Sequence, residues 1–180
     1  MLLSLSRKGV DFIFAYRHHL PMHKRFVSMS NVQRILLSSD KYSPMSAPHG
    51  LAALRWASLA ANIDADEVEE RLRKGGWDPQ WRFGMYKQAH YHSTTHELLV
   101  VIKGHATIQL GGTDERAHPR NRSSEQTTEN VELREGDVLL LPAGYTHRAV
   151  ESHSGFTMIG SYPQAAEHWD NFKTDQRSAT

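Results

Sequence analysis

The chain has no cysteine among its 180 residues. That absence excludes a disulfide framework, thiolate zinc or iron–sulfur ligation and a cysteine nucleophile. Any bound metal would have to be held by His, Asp, Glu or neutral oxygens. Long apolar runs are missing as well. In the N-terminal region the longest, residues 12–16, is far too short to span a bilayer. There is no Gly-rich nucleotide-binding loop, no Gly-x-Ser-x-Gly elbow and no internal repeat. No surplus of basic charge is available for a nucleic acid, because 21 Lys/Arg face 20 Asp/Glu. What is present is a one-domain length, 39% apolar and 23% charged residues, and twelve histidines. This composition excludes a disordered chain, a collagen-like chain and a membrane bundle.

The charge is unevenly placed. Residues 1–63 carry eight Lys/Arg against two acids, a balance of +6, and residues 64–180 carry 13 against 18, a balance of −5. Residues 1–30 are basic and Ser-containing, with a single acid, Asp11, and read as an N-terminal extension that is disordered or a targeting segment. The expected location is the cytoplasm, or the mitochondrial matrix if residues 1–28 are a transit peptide. Residues 31–180 read as one domain. Residues 31–39 suggest a first strand, 40–50 a Pro/Gly loop, and the Ala/Leu-rich stretch 51–62 a helix. Asp64, with Glu67 three residues on, marks the start of a second short helix ending at Gly75-Gly76, with Val68 and Leu72 on one face.

After Trp77 short apolar runs at 83–89, 97–103, 106–110, 131–133, 138–142, 147–150 and 156–162 alternate with turn residues. Many short strands with frequent turns predict an all-β sandwich or barrel. Residues 111–130 read as an exposed loop. Residues 168–180 read as a polar tail, with Trp169 and Phe172 as its only anchors.

Two segments carry chemistry. In the first, Gly84 is followed after five residues by His90-Tyr91-His92, after four more by Glu97 and after six more by Gly104. In the second, Gly136 is followed after five residues by Pro142-Ala143-Gly144 and after two more by His147. On a strand, His90 and His92 point to the same face. Four residues then make a turn, and Glu97 opens the next apolar run within reach of the same space. If the Pro-Ala-Gly turn delivers His147 there too, three neutral imidazoles and a carboxylate result. That set suits a divalent first-row transition ion with coordination positions left open.

Both segments fit the two motifs of the cupin superfamily at nearly every fixed position. Together with WRFGMYKQAHYHSTTHELLVVIKGHATIQLGG, GDVLLLPAGYTH and GSYP, they make residues 80–163 resemble a small single-domain, YjlB-like cupin. The resemblance implies a jelly-roll β-barrel, preceded here by the short helical segment. It also implies a metal in the barrel mouth, ligated by His90, His92, Glu97 and His147. Where the second motif ends on Asn, this chain has Glu151, at a position that is not a ligand in the family.

One ambiguity stays open. The first motif also permits a gap of three, which would make His96 the third ligand. The six residues between Glu97 and Gly104 and the alternation of strand faces favour Glu97, leaving His96 as a neighbour of the site or exposed. By strand parity with the histidines, Tyr86 and Gln88 are expected in the barrel interior, and Met158 and Tyr162 are expected as pocket walls. Tyr86 and His96 are the candidates for proton transfer, with Glu151 a weaker one. His105 and His153 read as surface histidines. The expectation is a metal-dependent enzyme acting on a small polar metabolite, the ion being Fe, Mn, Ni, Cu or Zn, or else a non-catalytic binding or sensing module. By resemblance the chain would form a homodimer. No nucleic acid or membrane partner is expected.

Overall fold

In the computed structural model the described residues are 32–37, 52–57, 64–112 and 128–173. The N-terminal extension, the Pro/Gly loop and residues 58–62, most of the loop after Gly112, and residues 174–180 lie outside them.

The elements are β1 (Gln33–Ile35), β2 (Ala53–Ala57), α1 (Ala65–Lys74), β3 (Trp77–Phe83), β4 (His90–Tyr91), β5 (Glu97–Leu110), β6 (Glu129–Arg134), β7 (Asp137–Leu141), β8 (His147–Pro163) and β9 (Phe172–Lys173). All pairings are antiparallel. The central path is β1-β2-β7-β5-β8-β4-β9, with β3 added to β8 and β6 to β5. This is the expected all-β jelly-roll architecture with one short helix. The apolar runs 97–103 and 106–110 are one long strand, and so are 147–150 and 156–162. β5 pairs with β7 through its first residues and with β6 through its last, while β8 runs beside it along most of its length. Register shifts at Val101/Lys103, Lys103/His105 and Thr107/Ile108 bend this pair.

Side-chain alternation then sorts two cores. Leu99 and Val101 of β5, Leu139 and Leu141 of β7 and Met158 of β8 turn into the barrel. Leu98, Val100, Val138 and Ile159 turn outward and are covered by Val68 and Leu72 of α1. Glu97 shares the inward parity of Leu99, so the strand itself carries a carboxylate into an apolar interior.

α1 starts where expected. The Asp64 side chain accepts from the N–H groups of Asp66 and Glu67, a cap worth about 1 kcal/mol. The Glu67 carboxylate pairs with Arg71 one turn on. Arg82 of β3 fastens the helix to the sheet, its Nε 2.5 Å from Glu69 and its Nη2 2.5 Å from Asp66.

Three expectations are corrected here. Within 51–62, residues 53–57 are strand β2 and not helix. They pair with β7, and Arg55 meets the buried carboxylate of Asp137 at 2.6 Å, so tertiary pairing overrides the local Ala/Leu propensity. Residues 84–89 are not strand, so the parity argument that carried Tyr86 and Gln88 inward does not apply to them. The segment after His168 is not a plain tail. β9 pairs with β4, and Phe172 stacks on Tyr91 at 5.5 Å.

Candidate metal centre

β4 and β8 pair with His90 opposite His147, which places the two rings 4.3 Å apart. His92 follows two residues after His90 and turns to the same side, 5.6 Å from it. His147 is delivered by the Pro142–Gly144 turn. Gly144 adopts φ +85°, the left-handed region where glycine is unstrained. Its N–H donates to the His92 carbonyl at 2.7 Å. The N–H of Ala143 donates to Nδ1 of His96 at 2.9 Å. His96 is thus exposed and fastened to the turn, outside the cluster of His90, His92 and His147, whose ligand atoms lie within 4.8 Å of one another.

The outer nitrogens of these three rings are all engaged. Nδ1 of His90 meets the Gln88 carbonyl at 3.1 Å, Nδ1 of His147 meets the Tyr145 carbonyl at 2.9 Å, and Nδ1 of His92 meets the Asp170 carbonyl. A carbonyl only accepts, so each Nδ1 carries the hydrogen, and the neutral ring presents a lone pair at Nε2. Glu97 is beside them. Its Oε2 lies 3.2 Å from Nε2 of His147 and 3.5 Å from Nε2 of His92. That oxygen is buried and makes no hydrogen bond. Its Oε1 accepts from the Tyr162 hydroxyl at 2.8 Å, and Nε1 of Trp81 donates to the same hydroxyl at 3.2 Å.

Lone pairs and a carboxylate therefore converge with no donor among them, and the arrangement asks for a cation. The titration behaviour shows the same demand for positive charge: where no ion supplies it, the cluster draws a proton toward the Glu97 carboxylate. Burial, and then the neighbouring His147, push His90 down to about 3, so it stays neutral. Burial alone would raise Glu97, but the two imidazoles beside it outweigh burial and hold the carboxyl well below its usual range. For His92 burial works downward, yet the Glu97 carboxylate prevails and raises the ring above its ordinary value. Burial and the Glu97 charge keep Tyr162 protonated.

Of the residues singled out from the sequence, His90, His92, Glu97 and His147 are brought together. Tyr86 is half-exposed at the cavity mouth, its ring 5.2 Å from His90. Tyr162 lines the cavity, whereas Met158 is buried in the core. Gln88 does not line the cavity and contributes its backbone carbonyl to His90. Glu151 is exposed on β8 and accepts from Thr107. His105 and His153 are exposed and stack on each other at 5.0 Å.

The residues that sequence reasoning missed lie in the C-terminal segment. Besides holding His92, Asp170 accepts from the backbone N–H of Ser93 at 2.6 Å and from its hydroxyl. Trp169 packs 5.5 Å from His92 and 5.6 Å from Tyr162. The two aromatics in an otherwise polar stretch were the only signal.

The cupin family model matches residues 84–170. The chain is 30% identical over 105 residues to the uncharacterized protein YjlB of Bacillus subtilis, a match covering 58% of this chain and 56% of that protein. The match thus spans little more than half of that relative's length. Among solved structures, a vicilin from Corylus avellana aligns at TM-score 0.40 and 15% identity, covering 68% of this chain and 30% of that one. An oxalate decarboxylase from Lactobacillus farciminis aligns at 0.34 and 14%, covering 68% and 25%. No helix among the described residues is long and apolar enough to cross a membrane.

Proposed function

Starting from the premise that this chain is a cupin of the YjlB-like kind, we propose that it holds one divalent transition ion and acts through it on a small molecule in the barrel. The ligands are His90, His92 and His147 through Nε2, and Glu97 through Oε2. The observation that carries this reading is the tautomer lock: three backbone carbonyls take the three Nδ1 hydrogens and leave three inward lone pairs beside an unpaired carboxylate oxygen. Such an ion supplies Lewis-acid polarisation of a ligand oxygen at its open positions.

The chain's own residues do the rest. The Tyr162 hydroxyl fixes one oxygen of Glu97 and so aims the other. Asp170 and Gln88 orient two of the imidazoles through their carbonyls. The aromatic walls flank the cluster. Tyr86 is the cavity-lining side chain placed to exchange a proton with a bound molecule, its ring lying against His90. His96 is fastened to the turn and has no such place.

A second reading, a binding or sensing module without turnover, is favoured by one observation. The Tyr162 hydroxyl is already committed to Glu97, which leaves Tyr86 as the one cavity-lining acid or base among the described residues outside the proposed ligands. Metal analysis of protein purified without chelator tests the common core of both readings. Close to one transition ion per chain is expected. Full metal content in a His92→Ala/His147→Ala double variant would refute the site.

A further inference from the structure

The walls above the histidines are more apolar than a small polar metabolite would call for. Trp81 stacks on Phe83 at 4.5 Å, Phe83 lies 6.0 Å from Tyr86, and Tyr86 stands edge-on to His90 at 5.2 Å. On the other side His92 stands edge-on to Tyr162 at 5.6 Å, and Tyr162 returns to Trp81 through the indole N–H. The girdle therefore closes on itself around the cluster. Phe83 and Tyr86 are large side chains left 42% and 54% exposed, and both line the cavity. Apolar rings turned toward a cavity above a polar floor suit a ligand that is apolar at one end and polar at the other.

Three further observations narrow the ligand. Among the described residues lining the cavity there is no Lys and no Arg, so a polyanion would meet no counter-charge beyond the ion itself. Of the polar wall groups, Tyr162 is committed to Glu97 and the side-chain oxygen of Gln80 accepts from the Trp169 indole at 2.6 Å, which leaves Asn171 and the Tyr86 hydroxyl among the described lining residues. A polyhydroxylated ligand would lose more hydration there than two such groups replace. The cavity measures about 210 Å³. An apolar cavity of roughly 150 Å³ takes a benzene molecule, so this one has room for a single substituted ring.

We infer that the ligand of this site is a compound with one aromatic ring bearing an oxygen donor. The ring lies against the Trp81–Phe83–Tyr86 wall, and the oxygen is directed at the histidine cluster. This rests on the metal reading above and names the substrate class for it.

The test uses the full-length protein loaded with Co(II), whose visible absorption reports ligand binding directly. Mandelate and lactate are titrated in parallel. They share the chelating α-hydroxycarboxylate and differ only by phenyl in place of methyl. Burial of the ring predicts that mandelate binds about 10- to 100-fold more tightly. Phe83→Ala and Tyr86→Ala should each reduce that ratio, and Phe83→Ala should do so without changing Co(II) content or lactate affinity. The partial exposure of both residues keeps either substitution from threatening the fold. Equal binding of lactate and mandelate, binding of neither, or a mandelate preference that survives both substitutions would overturn the aromatic assignment and leave the metal reading standing. A protein that takes up no Co(II) would overturn the metal reading itself, and this inference with it.

Discussion

The Tyr162 hydroxyl donates to Oε1 of Glu97 at 2.8 Å, and the other carboxylate oxygen is thereby aimed between Nε2 of His147 and Nε2 of His92. In the proposed site one oxygen is anchored so that the other can serve as a ligand. Tyr162→Phe keeps the ring and removes the anchor. The expected outcome is a loss of about 10- to 100-fold in metal affinity, measured by competition with a chromophoric chelator, with the fold retained. Unchanged affinity would mean that Glu97 needs no orientation.

Glu97 and His96 are adjacent and face opposite ways. Glu97→Gln removes a full negative charge beside the ion and should weaken binding substantially, more for Mn(II) than for Cu(II). His96→Ala removes only the bond from Ala143 that steadies the turn before His147, and should cost about tenfold or less. The same chelator competition reads both. An empty site in His96→Ala with full affinity in Glu97→Gln would reverse the assignment.

The motif spacings placed all four of these side chains because each position is fixed by local geometry. Strand alternation aligns His90 with His92 and separates Glu97 from His96. Gly144 at positive φ makes the turn that returns His147. Asp64 as helix cap was legible for the same reason. The failures share an opposite cause. Ala53–Ala57 has a helical composition, and pairing with β1 and with the distant β7 makes it strand. Gln88 was assigned inward by extending parity through residues 84–89, where no strand exists to carry it, whereas Tyr86 reaches the cavity from that irregular segment. Asp170 acts on His92 through a backbone carbonyl across 78 positions of sequence, and a backbone group leaves no residue-type signature.

Gly160 is the point where the sheet makes room for the cavity wall. A Cβ there would fall 1.9 Å from the Trp81 ring. Gly160→Ala should displace the indole, break its hydrogen bond to Tyr162 and destabilise the protein by about 1–3 kcal/mol. Chemical denaturation measures the loss, and tryptophan emission reports the moved ring. Wild-type stability would show that the wall yields freely.

The helix clasp has a defined pH dependence. The hydrogen bond from Arg82 is the largest influence on Glu69; burial opposes it, Arg73 adds to it, and the net value falls below the ordinary 4.5. A carboxyl lowered in the folded state contributes stability above its unfolded value, and that contribution is lost as pH falls through the folded one. Arg82 is partly exposed, so the pair is worth about 0.2–1 kcal/mol. Glu69→Gln should lower Tm by roughly 1–4 °C at neutral pH. The gap to wild type should close as both are acidified below 4.5. A gap that persists in acid would assign the effect to packing.

In the proposed site three imidazoles, each fixed by a backbone carbonyl, turn their Nε2 atoms on one ion. X-ray absorption spectroscopy of the Co(II)-loaded protein tests it most directly, because imidazole rings give a distinctive outer-shell scattering that counts them. Scattering from three rings is expected, falling to two in His147→Ala. Bound cobalt with one ring or none, or a ring count unaffected by His147→Ala, would contradict it.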